Sequence, residues 1–180
     1  MKKISLLFCL VVLYIFSFSG IAQAISRKLA NPNYIKTYIQ PNHKNTVMMK
    51  HAFAEWSRLT NNKFVFHYVT SPRVAKIDVY FVKKIDTSNR QGLDRAIGLT
   101  EGRGTNTRIA HATIYIADYT QDGRTLSKDE VYTVMLHEIG HAIGLEHSTD
   151  PESVMYPGVN IIQEIAKKDL LNLKKLYGWN

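Results

Sequence analysis

Residues 137–147 read His-Glu-Ile-Gly-His-Ala-Ile-Gly-Leu-Glu-His, and this stretch decides how the rest of the chain is interpreted. His137 and His141 are four residues apart, so on a helix their imidazoles project from one face about one turn apart. This spacing lets both rings bind a single Zn²⁺ ion. A glycine at position 144 predicts the end of the helix and a sharp turn, which returns His147 as a third ligand. Three protein ligands leave a fourth position for water, as in catalytic zinc sites.

Glu138 has a different predicted role, because it neighbours His137 in the chain but faces another direction on the helix. It is poorly placed to bind the ion and well placed to hydrogen-bond a water that the ion holds. Zinc lowers the pKa of such a water to about 7 and polarises a peptide carbonyl. Glu138 would take a proton as the water attacks and deliver it to the departing amine. The pattern therefore predicts a zinc-dependent endopeptidase with protein or peptide substrates.

Two other functions are compatible with the same residues. The first is a catalytically inactive, zinc-containing binding protein that keeps the three histidines. The second is a basic adhesin or surface-binding module, whose binding would depend on salt and not on metal. The presence of Glu138 favours the enzyme over the inactive alternative.

The N-terminal residues are typical of a secretory signal. Two lysines at positions 2 and 3 precede an apolar run from Ile4 to Phe18, and Ala22-Gln23-Ala24 matches a cleavage site. The run is short for a membrane-spanning helix, which needs about 20 apolar residues. We therefore predict a signal peptide at residues 1–24 and a single catalytic domain at residues 25–180. The mature protein is expected to be a secreted monomer, extracellular or periplasmic, without a stable membrane anchor.

Composition limits what else the chain can do. Its 180 residues suffice for one domain, and the net charge of +8 falls to +6 when Lys2 and Lys3 leave with the signal. The basic residues form no cluster dense enough to predict nucleic-acid binding. Cys9 is the only cysteine and also leaves with the signal. The mature chain can therefore form no disulfide and offers no thiolate to a metal.

Hydrophobic periodicity predicts five strands and three helices. The strands are expected at residues 35–39, 64–69, 77–81, 96–100 and 109–117, the fourth as a short strand within a loop. The helices are expected at residues 45–59, 127–144 and 166–177. The buried stripe of the first helix is predicted to contain Met48, Ala52, Trp56 and Leu59. Ser127 and Glu130 fit a capping box that starts the second helix.

The motif resembles that of the metzincins, in which HExxHxxGxxH precedes a turn that contains methionine. Ser148 and the sequence Met155-Tyr156-Pro157 narrow the resemblance to the matrixins, the family of the matrix metalloproteinase catalytic domains. The resemblance implies an α+β, zincin-like fold: a twisted, mostly parallel five-stranded sheet, an active-site helix and a C-terminal helix. It also implies that Met155 lies beneath the zinc as an apolar floor.

The chain departs from the usual matrixin pattern in three ways. We expect no pro-segment cysteine that could block the zinc, and no haemopexin-like domain after the last helix. Between Asp78 and His137 the sequence has only His111, so we expect no second, structural zinc. His111 is expected to face solvent or a neighbouring side chain. A calcium ion is left open: Asp118, Asp122 and Asp129 with Gly123 could supply oxygens, but they form no regular calcium loop.

Peptidases of this type bind an extended substrate as an added strand at a sheet edge. The first candidate for that edge is the strand at residues 96–100, with Gly98 and Leu99, and the second is the strand at residues 109–117. By analogy with the family, Pro157 would form the outer wall of the pocket for the residue after the cut bond. Thr133 would point into the same pocket from one turn before His137.

Overall fold

A mostly parallel sheet forms the frame of the protein. The computed structural model describes residues 27–88, 96–158 and 161–179, so the predicted signal peptide lies outside the described residues. Within them the sheet has six strands: β1 (Lys28–Leu29), β2 (Ile35–Ile39), β3 (Phe66–Tyr68), β4 (Ile77–Val82), β5 (Gly98–Gly104) and β6 (Arg108–Ala117). The five predicted strands are all present. The sixth, β1, has two residues, too few to produce a periodic pattern in the sequence.

Strand pairing places β5 at one edge of the sheet. Moving across the sheet, β3 pairs with β2, β2 with β4 and β4 with β6, all in parallel. The next strand, β5, pairs with β6 in the antiparallel direction, and β1 pairs in parallel with the first residues of β6. No strand in the described parts of the chain pairs with the outer edge of β5. A further strand could therefore pair with the sheet at this edge.

Three α-helices occur in the described residues: α1 (Thr46–Leu59), α2 (Lys128–Ala142) and α3 (Lys167–Tyr177). The predicted capping box starts α2, because Ser127 Oγ accepts from Glu130 N and the Glu130 carboxylate accepts from Ser127 N. Gly178 ends α3 in the left-handed conformation. None of the helices in this part of the chain is long and apolar enough to cross a bilayer.

The core lies between one face of the sheet and the helices. Residues of β4 and β6 contribute buried apolar side chains to it, among them Ile77, Val79 and Ile114. The prediction for α1 was partly wrong, because its fully buried residues are Met49, Ala52, Phe53 and Trp56. Met48 and Leu59 are only partly buried against this core. Both stripes have helical spacing, and packing against the sheet selects the one that is rotated toward Met49 and Phe53.

Two strand boundaries also differ from the prediction, for local reasons. The glycine-rich strand β5 extends to Gly104, and its pairing with β6 supports residues that show no hydrophobic alternation. Strand β3 is shorter than predicted and begins at Phe66. Phe64 instead enters the core, where its ring meets those of Tyr177 and Trp179 at centroid distances of 5.2 and 5.1 Å. This contact attaches the C-terminal residues to the rest of the domain.

Candidate active site

The three histidines of the motif converge at the C-terminal half of α2. His137 and His141 lie one turn apart on this helix, with their Nε2 atoms 3.0 Å apart. The chain turns at Gly144, which has φ +104°, and an added Cβ there would overlap the main-chain oxygen of Arg27. The turn brings His147 back to the helix. One ligand atom from each of the three rings lies within 4.8 Å of the others, so the group could hold a metal ion.

Main-chain carbonyls fix the orientation of the two helical imidazoles. His137 Nδ1 lies 2.7 Å from the oxygen of Val154, and His141 Nδ1 lies 2.8 Å from the oxygen of Leu145. A carbonyl oxygen only accepts, so each Nδ1 carries the proton and each Nε2 presents a lone pair. Two lone pairs 3.0 Å apart repel each other, and a cation bound between them would remove this repulsion. Tetrahedral ligands about 2.1 Å from zinc lie about 3.4 Å apart, so the arrangement fits this ion.

Burial keeps these imidazoles in the neutral form. It lowers the pKa of His137, and the charge of His147 acts in the same direction. Burial also lowers the pKa of His141 to about 3, assisted by the charge of His137. The hydrogen bonds to Val154 and Leu145 oppose these shifts but are outweighed. Neutral imidazole is the form that binds a metal ion, so the site is ready to bind one near neutral pH.

Met155 lies under this group, in a turn that α3 holds in place. The side chain is buried and packs so closely on Gly140 that a Cβ at that glycine would overlap its sulfur. The turn is fixed by Asp169, whose carboxylate accepts from Ser153 Oγ at 2.5 Å and from Val154 N at 3.1 Å. Sequence reasoning missed this role of Asp169. The only available signal was an acidic residue in the first turn of α3, which is equally typical of a helix start.

Glu138 faces β5 and is buried, with 5% of its surface exposed. Burial raises the pKa of its carboxyl group to about 7, and a hydrogen bond from Thr100 opposes the shift. The hydroxyl of Thr100 lies 2.7 Å from Oε2 of Glu138. A carboxyl group that titrates near neutral pH can both accept and release a proton there. Thr100 was not predicted as a site residue, although it alternates with Gly98 in the predicted edge strand.

A cleft of about 1200 Å³ runs between β5, α2 and the segment that follows Met155. It is lined by every predicted ligand, base and substrate-binding residue: His137, Glu138, His141, His147, Gly98, Leu99, Thr133 and Pro157. The hydroxyl of Thr133 accepts a hydrogen bond from Ile162 N at 3.1 Å, which ties α2 to the far wall. Ile161 and Ile162 also line this wall and were not predicted. They lie C-terminal to the motif in a stretch without periodicity or a known motif, so no sequence signal marked them.

Two other residues considered as metal ligands, His111 and Asp118, have protein partners. His111 forms an ion pair with the buried Asp78 on the neighbouring strand. Asp118 pairs with His43 at 3.2 Å and with Lys44 at 3.0 Å. Within residues 27–88, 96–158 and 161–179, the three histidines of the cleft are the one group of three or more histidine, cysteine or acidic residues that could hold a metal.

The sequence profile of the family described as Matrixin matches residues 32–178. The chain belongs to the matrixin family. The predicted matrixin resemblance and α+β fold are therefore confirmed, and the zinc metalloendopeptidase chemistry of the family is supported in general terms. The span of the match covers all three helices, every strand except β1, and the whole cleft segment from Gly98 to Pro157.

Several relatives resemble this matrixin over most of its length. It is 31% identical over 138 residues to Metalloendoproteinase 1 of Glycine max, covering 72% of this chain and 44% of the relative. It is 32% identical over 146 residues to Probable matrix metalloproteinase 095L of Invertebrate iridescent virus 3, covering 74% and 37%. Macrophage metalloelastase of Oryctolagus cuniculus is 28% identical over 137 residues, covering 71% and 27%. The matched region thus spans less than half of each relative.

Proposed function

We propose that this matrixin is a zinc-dependent endopeptidase that cleaves proteins or peptides, with Glu138 as its base and His137, His141 and His147 as its zinc ligands. The observation that carries the proposal is the convergence of three imidazoles beside a buried carboxyl group. All four groups line one open cleft. A structural zinc site would instead be closed by a fourth protein ligand.

Each residue has a separate task in the proposed mechanism. Bound zinc would supply Lewis-acid polarisation of the scissile carbonyl and of the attacking water. Glu138 accepts the proton of that water and later delivers it to the leaving amine, which its pKa of about 7 suits. The ring of His137 is held by Val154 and that of His141 by Leu145, so neither has to reorganise during the reaction. Met155 supports the ligands from below.

The substrate is proposed to lie along β5. The outer edge of this strand faces the cleft, so an extended peptide can pair with it and pass beside Gly98 and Leu99. Pro157 lies on the opposite wall. Thr133 lies on the α2 side, where it would contact the side chain that follows the cut bond. The neighbours of Thr133 on the far wall of the cleft are mostly apolar, Ile161 and Ile162 among them. They favour a substrate with an apolar side chain after the cut bond.

We also propose that the protein is exported. The support is the sequence of residues 1–24, with its basic start, apolar run and small-residue cleavage site. Cleavage after Ala24 would leave one catalytic domain at residues 25–180, expected to be monomeric and without a stable membrane anchor. We propose export either to a periplasm or out of the cell. Calcium binding stays a prediction.

The competing function is a zinc-containing binding protein without turnover, and Glu138→Ala separates the two. Purified wild type, loaded with zinc and given a peptide library, should show cleavage that a chelator abolishes. Glu138→Ala should bind the same amount of zinc and lose cleavage by at least about 100-fold, the lower range for a general base. Glu55→Ala is the matched control, because it removes a carboxylate on α1 that pairs with Arg58. A zinc-loaded wild type without cleavage would favour the binding protein.

A further inference from the structure

Two alternate residues of β5 enclose the side chain of Glu138. Gly98 and Thr100 point toward α2, because the intervening Leu99 faces the other side of the pleated strand. The hydroxyl oxygen of Thr100 lies 2.7 Å from Oε2 of Glu138 and 3.0 Å from its main-chain oxygen. Gly98 lies against the same side chain, since a Cβ there would overlap Oε1 and approach Cγ of Glu138 to 2.8 Å. The carboxyl group therefore bonds to β5 through Oε2, and Oε1 lies in the space that the missing Cβ of Gly98 leaves.

The hydrogen bond to Oε2 is the stronger of the two that Thr100 can make. A hydroxyl group has one proton, so it donates to one acceptor at a time or shares the proton unequally. The shorter distance is to Oε2, and donation to a carboxylate is charge-assisted. The bond restricts the rotation of the buried Glu138 side chain about its last torsion. Oε1 receives no hydrogen bond from Thr100, so in the proposed mechanism it is the oxygen that takes the proton.

We propose that Thr100 is a positioning residue for Glu138, and that Gly98 provides the space in which Thr100 holds the carboxylate. The inference rests on the proposed peptidase function. In this proposal the hydroxyl of Thr100 acts on the reaction through the carboxylate of Glu138. A misplacement of about 1 Å in a reacting group can cost about 100-fold in rate, so fixing this carboxylate matters for turnover.

A purely structural role for Thr100 makes different predictions. The same contact joins β5 to α2, so it could serve only to hold the two elements together. Its loss would then lower the thermal stability, disturb the cleft as a whole, and change KM or zinc binding together with kcat. A positioning residue instead lowers kcat alone, because substrate binding along the edge of β5 does not involve Oε2 of Glu138.

Thr100→Val is the direct test, because valine has the shape of threonine without the hydroxyl group. We expect kcat for a library-derived peptide to fall about 10- to 100-fold, with KM and zinc content within about twofold of wild type. Thr100→Ser, which restores the hydroxyl, should recover most of the lost rate. Thr37→Val is the matched control: it removes a buried strand hydroxyl that donates to Ile35 O on β2, away from the cleft. Its kcat should equal that of wild type.

Two results would overturn the inference while the proposed function stands. One is a Thr100→Val enzyme that turns over as fast as a cleaving wild type. The other is a Thr100→Ser enzyme as slow as Thr100→Val, since the hydroxyl would then not be the cause. If the wild type itself shows no chelator-sensitive cleavage, the proposed function fails and the inference fails with it.

A measurement without zinc tests the contact itself. In the zinc-free protein, Thr100→Val should lower the unfolding midpoint more in the wild-type background than in Glu138→Ala, because only the former has the carboxylate partner. Thr100→Val should still lower the unfolding midpoint of Glu138→Ala to some extent, because the Thr100 hydroxyl also lies 3.0 Å from the main-chain oxygen of residue 138. Equal losses in both backgrounds would mean that Thr100 and the carboxylate are not coupled, and would overturn the inference.

Discussion

At the scale of single residues, the absence of a side chain at Gly98 fixes how closely Glu138 approaches β5. An added Cβ would overlap Oε1 of Glu138 and lie 2.5 Å from Cγ1 of Val134. Both of these atoms belong to α2, a helix held at its start by a capping box and linked at Leu136 to Trp56 of α1. The helix cannot easily move away, so the side chains of Glu138 and Val134 must both move.

We therefore expect Gly98→Ala to displace Glu138 and to lower hydrolysis by about tenfold or more while zinc remains bound. The measurements are kcat/KM on a peptide substrate and zinc content after dialysis. Gly102→Ala is the comparison, because it adds the same methyl group on the same face of β5. The added methyl group at position 102 comes nearest to the far end of the long Arg27 side chain, at 3.0 Å. Gly102→Ala should therefore lose less activity than Gly98→Ala. Equal activities of the two variants would contradict this explanation.

At the scale of secondary-structure elements, α3 reaches His137, one of the proposed zinc ligands, through a chain of hydrogen bonds. Asp169 at the start of α3 accepts from Val154 N, and Val154 O accepts from His137 Nδ1. Asp169 also accepts from Ser153 Oγ, which in turn accepts from Met155 N. Asp169 is 1% exposed, and all of these partners belong to the turn under the histidines. The position of α3 therefore determines where the ring of His137 is held.

Asp169→Asn should weaken zinc binding without touching a ligand. The amide is neutral and replaces one acceptor oxygen with a donor, so either Ser153 Oγ or Val154 N loses its acceptor and the other keeps only an uncharged one. Loss of such an outer partner typically lowers metal affinity about 10- to 100-fold. A competition titration with a chromophoric chelator measures the affinity. Asp150→Asn is the control, because Asp150 pairs with Lys168 at the surface of the same region. An Asp169→Asn protein with wild-type zinc affinity would disprove the link.

Local sequence signals predicted the elements well where the cause is local. Ser127 and Glu130 cap α2 by bonding each other's backbone, and Gly144 and Gly178 adopt positive φ at the two helix ends. These effects act within a few residues and are therefore visible in the sequence. The spacing of the histidines likewise predicted a cluster, because a helix and a tight turn are enough to bring the three rings together.

The features that sequence reasoning missed depend on distant partners. The burial of Met49 and Phe53, in place of Met48 and Leu59, is decided by the rotation of α1 on the sheet. Strand β5 reaches Gly104 because β6 supplies its hydrogen bonds. Asp169 is buried only because a turn 15 to 16 residues earlier in the chain returns to meet it. None of these contacts leaves a periodic pattern at the residues concerned.

At the scale of the whole molecule, the candidate zinc site lies at the margin of the hydrophobic core, whose Met155 packs beneath it. The largest fully buried side chains include Trp56, Phe53 and Ile114, which pack between the sheet and the helices. His137 and His141 are only partly buried and His147 is exposed, at the margin of this core. Hydrophobic burial is the dominant favourable term in folding, so the fold should not depend on the metal.

Zinc removal should therefore leave the domain folded but less stable. Zinc at about 100 times its dissociation constant adds about 2.7 kcal/mol to the free energy of unfolding of a protein that binds it only when folded. We expect a chelator to lower the unfolding midpoint of wild type by several degrees, while the far-UV circular dichroism at 25 °C stays unchanged. His141→Ala should show a much smaller chelator-dependent shift, because two imidazoles bind zinc more weakly than three. A chelated wild type that loses its helical signal would show instead that the metal holds the fold, because the core of Trp56, Phe53 and Ile114 could not then maintain α2 by itself.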